Sequence, residues 1–458
     1  MKLKWLVRLR SGGKYLFDLF ATDRIKRNIL QALPFWAASL ITGLVAVGYT
    51  KLFGYSENLL HSILHWKQWM IFIITPFCFF LAWYVVQIFA PNAKGSGIPQ
   101  VMAAIELSSP RHNDKIKHLL SFPILFTKIG SSLLMVLGGG AIGREGPTIQ
   151  VAGSVFRIIQ NWIPVSWPRL SKQSFLLTGA AAGLAAAFNT PLGGVVFAME
   201  ELAKVHVRFF RTALFSAVII SGLTAQGFLG PYLYLGYPDV KNLQLWILIG
   251  VAATAILAGM AGSLMCKLTL RMMRWKANFN KAQSLAFVIL AGLFIASIAY
   301  FLNEQVLGSG KNLMNEVLFT PDKNASWHTV LLRILGPIIC FNTGAAGGIF
   351  APSLAAGASI GAFLSHVFHY FDANANILIL CGMVGFLTGV TRTPFTSAIL
   401  VLEMTDRHSV IFHLMLAALI SHIAALIIDK HSFYDQLKKG YIEEEMKAEQ
   451  SQKSVEME

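Results

Sequence analysis

A chain of 458 residues with 55% hydrophobic and 13% charged residues is too apolar for a water-soluble domain, where about a quarter of residues carry charge. Its formal charge of +15 does not signal nucleic acid, because Lys2, Lys4, Arg8, Arg10, Lys14, Arg24, Lys26 and Arg27 gather ahead of the first apolar run. Cys78, Cys266, Cys340 and Cys381 are scattered through apolar segments, which excludes a disulfide framework and reads as packed thiols.

Residues 1–28 are expected to form a cytoplasmic N-terminal segment, with 1–20 a candidate amphipathic helix on the membrane surface. Arg8 and Arg10 interrupt any apolar core of a cleavable signal. Apolar runs at 29–47, 70–90, 122–141, 175–199, 245–265, 285–302 and 411–428 each approach the roughly 20 residues needed to cross a bilayer. His61 and His65 share a helix face in a polar connector between the first two runs, without a companion acid, so no metal and no other cofactor is expected.

The loops between these runs carry more information. Gly95-Ser96-Gly97-Ile98-Pro99 offers a hydroxyl between two glycines, then a proline suited to the first turn of a helix. Gly143-Arg144-Glu145-Gly146-Pro147 follows, and between residues 115 and 199 Glu145 is the one acidic residue. A lone carboxylate at lipid depth costs roughly 3 kcal/mol or more, so such a residue faces a pathway. At a helix N-terminus it also occupies a place that another anion can take. Gly347-Gly348-Ile349-Phe350-Ala351-Pro352 supplies bare backbone amides before a further apolar stretch, a second anion-binding arrangement.

These landmarks recur. Thr190-Pro191-Leu192 opens a helix that reaches Glu200, and Thr393-Pro394-Phe395 opens another that reaches Glu403, each glutamate nine residues after its proline. The prolines are 203 apart (394 − 191), the glycine loops 204 apart (347 − 143), and Gly95-Ser96-Gly97 echoes Gly308-Ser309-Gly310 at 213 (308 − 95). An ancestral duplication follows, with a first membrane repeat over 29–230, a connector over 231–242 and a second repeat over 243–428. Residues 429–458 would bring Tyr434 near the pathway and end in a charged cytoplasmic tail.

With its three glycine loops, Pro191-Leu192-Gly193-Gly194, Glu200-Glu201 and Phe433-Tyr434, the chain resembles the CLC family of chloride channels and chloride/proton exchangers over about 60–434. The resemblance implies an all-α polytopic membrane fold of two inverted-topology repeats with broken, tilted helices. It implies a homodimer in a bacterial inner membrane, with both termini cytoplasmic. Ser96 and Tyr434 would donate hydroxyls to a central chloride, and the amides of Ile349 and Phe350 would complete that site. Glu145 would be the gate shared by chloride and proton, and Glu201 the internal proton acceptor of exchangers, with Glu200 structural. Partners are then chloride, proton, the lipid bilayer and a second copy of the chain, with no nucleic acid and no enzymatic activity.

Ser96 in the first loop fits a chloride preference, and an acid at Glu201 fits an exchanger rather than a passive channel, the alternative within the family. The continuation Leu202-Ala203-Lys204-Val205 departs from the Arg-Pro-containing one common in bacterial exchangers. A remote alternative is an intramembrane serine protease, since Gly357-Ala358-Ser359-Ile360-Gly361 fits Gly-x-Ser-x-Gly, with His366 and His369 downstream. That motif needs a strand-to-helix turn, whereas this segment reads as a closely packed small-residue helix. Gly138 to Gly143 matches the dinucleotide fingerprint by letters, but no acid stands about 20 residues further on.

Overall fold

Apolar runs broken by Gly and Pro give helices of unequal length. The computed structural model describes residues 23–456, apart from 109–114, 165, 169, 204–210, 231–232, 241–244, 322, 324 and 371. The first half contains α1 (Asp23–Trp66), α2 (Ile71–Phe89), α3 (Ile98–Glu106), α4 (Ile116–Leu119), α5 (Phe122–Leu137), α6 (Glu145–Trp162) and α7 (Lys172–Phe188). It ends with α8 (Pro191–Phe197), which runs on into a π-helical turn over Ala198–Ala203, and α9 (Arg211–Leu229). The second half contains α10 (Ile247–Lys276), α11 (Lys281–Phe301), α12 (Lys311–Phe319), α13 (Trp327–Asn342), α14 (Phe350–Val367), α15 (Asp372–Thr391), α16 (Pro394–Thr405) and α17 (Ile411–Ile428). A last helix, α18, covers Phe433–Glu456.

The order of long and short helices repeats. Helices α3, α5 and α6 hold 9, 16 and 18 residues, and α12, α13 and α14 hold the same numbers. Both series then break at one kind of residue. Asn189 (φ 57°) ends α7 and Arg392 (φ 65°) follows α15, each two residues before a helix-opening proline. A residue preceding proline is pushed out of the helical region, so the expected single span over 175–199 is two helices broken at Asn189-Thr190.

Among the described residues nine helices are long and apolar enough to cross a membrane. They sort by side-chain size. The apolar windows of α14 and α15 are 83% and 94% buried, because small residues let their backbones touch. At Gly357 and Gly361 an added Cβ would collide with the backbone of Gly382 and Leu378. Peripheral helices instead present Trp246, Phe412 and Ile427 outward, as a lipid-facing surface does.

Two expectations need correction or bounding, and the tail adds a contact. His61 and His65 do not lie in a connector but in the last turns of α1, which runs for 44 residues, and the His61 ring faces Glu304 at 3.1 Å. The charged tail forms a helix with contacts of its own. Helix α18 docks on α3, with Lys438 Nζ 2.9 Å from Glu106 and Tyr441 accepting a 2.9 Å bond from Gln100. The candidate surface helix over 1–20, the ends of the connector and Lys204-Val205 lie outside the described residues.

Candidate functional site

The three glycine loops are tied to one another by backbone bonds. Gly95 donates to the Ala345 carbonyl at 2.9 Å and accepts from Gly347 at 3.0 Å. Gly143 and Gly348 exchange bonds of 2.7 and 2.8 Å. Isolated bridges of this kind bring the N-termini of α3, α6 and α14 together, and each brings unbonded first-turn amides with a positive partial charge. The glycines are needed for two separate reasons. Gly97 holds φ 103°, which a side chain resists. At Gly143 an added Cβ would collide with the Glu145 carboxylate and come within 3.1 Å of Ala351 and 3.2 Å of Pro352.

That collision locates Glu145. Its carboxylate lies beside the opening residues of α14, 1% exposed and within reach of its own amide and that of Ala351. The Tyr234 hydroxyl approaches Oε1 at 3.5 Å, and Arg144 Nε stands 4.0 Å away. On the other side of Gly146, whose missing Cβ makes room for the Ser96 hydroxyl, lies a second polar spot. Ser96 and Tyr434 are both buried, and their hydroxyls are neighbours with no other hydrogen-bond partner among the described residues. Two buried hydroxyls with only each other to bond are under-satisfied unless something further binds there. Ile349 and Phe350 are buried at the start of α14.

Tyr434 reaches the interior because Phe433 packs edge-on against Phe341 (5.5 Å between centroids), which in turn lies against Gly95. Glu201 is 2% exposed, in the π-helical turn after α8. Tyr434 lies within electrostatic reach of both Glu145 and Glu201. The structure therefore brings Ser96, Glu145, Ile349, Phe350 and Tyr434 to one locus, with Glu201 on an adjoining helix turn. Glu200 faces elsewhere, accepting bonds from the amides of Phe395 (3.2 Å) and Thr396 (2.6 Å) at the start of α16.

Sequence reasoning missed Lys128 and Tyr234. The Lys128 ammonium is fully buried behind the first loop and donates to the carbonyls of Ala93 (2.9 Å) and Gly95 (2.7 Å), with Lys94 at 3.4 Å. It had a signal, a single cation in the apolar run 122–141. Tyr234 had none, since its partners are remote in sequence. The Gly-x-Ser-x-Gly match lies in the interior of α14, where Ser359 donates to the Ala356 carbonyl at 2.8 Å, so no nucleophile elbow exists there.

Fold and site together define a polytopic α-helical membrane protein whose glycine loops, drawn from both halves, converge on a buried carboxylate and two open hydroxyls. The chain belongs to the voltage gated chloride channel family, the CLC family, which it matches over residues 78–426. It is 29% identical to the H(+)/Cl(-) exchange transporter ClcA of Citrobacter koseri, over 98% of this chain and 96% of that protein. The structure of a slow cyanobacterial Cl-/H+ antiporter superposes with a TM-score of 0.78, at 24% identity over 90% of this chain and 98% of that one. A eukaryotic CLC transporter superposes at 0.73, with 19% identity, over 90% of this chain and 74% of the other. The fold is that of CLC transporters, two inverted-topology repeats of broken, tilted helices.

Proposed function

We propose that this protein exchanges chloride for protons across the membrane, and that Glu145 is a gate used by both ions. The observation that carries the gate is the place of its carboxylate, beside Gly143 and the first turn of α14, where backbone amides favour an anion. Chloride and the carboxylate compete for those donors, so one leaves when the other binds. The under-satisfied hydroxyls of Ser96 and Tyr434 support a central chloride, with the amides of Ile349 and Phe350 completing its shell. Glu201 is the internal proton acceptor in this scheme. The exchange activity of the relatives supports the coupled rather than the passive alternative. The rest of the reading is a homodimer in a bacterial inner membrane with cytoplasmic termini and repeats over 29–230 and 243–428.

Purified protein in liposomes, given only a chloride gradient, should drive protons uphill. Glu201→Gln should abolish proton movement while chloride still flows, and Glu145→Gln should uncouple the two by leaving the gate unable to ionise. Chloride flux without proton flux in the unmodified protein would make it a passive channel.

A further inference from the structure

The Gly308-Ser309-Gly310 loop repeats the Ser96 loop closely. Around Ser96, Gly95 (φ 65°) and Gly97 (φ 103°) take left-handed conformations, a nine-residue helix follows, and buried Lys128 holds the loop carbonyls from behind. Around Ser309, Gly308 (φ 64°) and Gly310 (φ 86°) do the same and a nine-residue helix follows. Buried Arg333 donates to the carbonyls of Leu307 and Gly308 at 3.2 Å each. The two cations are 205 positions apart (333 − 128), in keeping with the other matched landmarks. The loops differ in their occupant. The Ser96 hydroxyl has only the Tyr434 hydroxyl beside it, whereas the Ser309 amide and hydroxyl both donate to Glu57 Oε1, at 3.0 and 2.9 Å.

Glu57, Ser309 and Lys311 line a cavity of about 260 Å³ together with Arg144 and Glu145. Several waters fit such a volume, since each takes about 30 Å³ in the liquid. One further group points to an anionic ligand. Arg333, 2% exposed and 3.1 Å from the position of a Cβ on Gly310, has an unpartnered Nε.

We propose that Gly308-Ser309-Gly310 is a second anion-binding loop, filled by the tethered Glu57 carboxylate, and that a small halide replaces that carboxylate when its charge is removed. Amide, hydroxyl and the two nearby cations are the donors a halide needs. Lys311 brings one cation to the cavity side and Arg333 the other from behind. Glu57 thereby stands to this loop as Glu145 stands to the start of α14, each a tethered anion in an anion's place. The proposal rests on the chloride reading of Ser96 only in taking that loop type to be halide-binding.

The test is anomalous diffraction from crystals of the full chain grown in bromide, for the unmodified protein, Glu57→Gln, Glu57→Ala and Glu57→Ala with Ser309→Ala. The glutamine variant keeps the shape of the side chain in case the alanine one lets the loop collapse. Bromide should appear beside Ser309 in the two Glu57 variants, and be absent there in the unmodified and doubly substituted chains. Bromide between Ser96 and Tyr434 in every crystal but never beside Ser309 overturns the second loop and leaves the exchange reading intact. Bromide beside Ser309 but never beside Ser96 supports the second loop and overturns the central site. Bromide at neither overturns both.

Discussion

A buried ammonium is tolerated at Lys128 because carbonyls face it in place of water, and the arrangement also fixes the loop that carries Ser96. Replacing it with methionine keeps most of the volume, leaves the Ala93 carbonyl without its donor and takes one of two donors from the Gly95 carbonyl. A hydrogen bond to a charged group contributes about 1.5–3 kcal/mol, so Lys128→Met should lower stability by about 3 kcal/mol. A thermal unfolding scan in detergent reads this directly, and an unchanged midpoint would mean the loop is held by its backbone bonds alone. Residues of this kind were unevenly legible. Glu145 stood out because no other acid shares its stretch of chain. Tyr434 rested on little more than a Phe-Tyr pair, since its meaning depends on Ser96, 338 residues away (434 − 96). Local pattern marks a misplaced charge, but it does not reveal which hydroxyls a fold will leave under-satisfied.

At the scale of elements, the two halves are joined by crossed caps. Glu200, at the end of the first repeat's short helix, accepts from the amides opening α16, and Glu403 near the end of α16 accepts from Leu192 (2.9 Å) and Gly193 (2.7 Å) opening α8. Each carboxylate meets the positive end of the other's helix. Loss of an N-terminal cap costs about 1–2 kcal/mol. Glu200→Ala and Glu403→Ala should therefore each destabilise the protein by about that amount, and should add nearly fully, because they share no donor. Unfolding midpoints of the two single variants and the double variant check this; a silent Glu403→Ala would reduce the reciprocity to coincidence of geometry. The matched positions of these glutamates were visible in the sequence, but their pairing was not. Equal spacing from a proline identifies corresponding residues, while only the folded packing decides that they cross.

Across the whole molecule, the tail is coupled to the site at the other end of the chain. Tyr434 begins α18, and the same helix goes on to hold α3, the helix that starts one residue after Gly97. Gln100 donates to Tyr441 at 2.9 Å and to the Lys94 carbonyl at 2.7 Å, so the helix reaches the backbone two residues before Ser96 through one side chain. His118 and Glu445, 3.0 Å apart, tie the next turn of α18 to α4. Charge-rich sequence with little apolar content gave no hint of this, because the docking uses polar side chains whose partners lie in the first repeat. Ending the chain after Gly440 removes Tyr441 and Glu445 but keeps Tyr434 and the Lys438–Glu106 pair. If α18 positions both hydroxyls, chloride binding measured by calorimetry should weaken about threefold to tenfold, roughly 1 kcal/mol, although no group proposed to touch the ion has been lost. Substituting Tyr441→Phe alone should show part of the same loss, since it removes the acceptor from Gln100 and leaves the ring packed. Unaltered affinity in both variants would assign the placing of Tyr434 to the edge-on Phe433–Phe341 contact and leave the rest of α18 with no part in holding the ion.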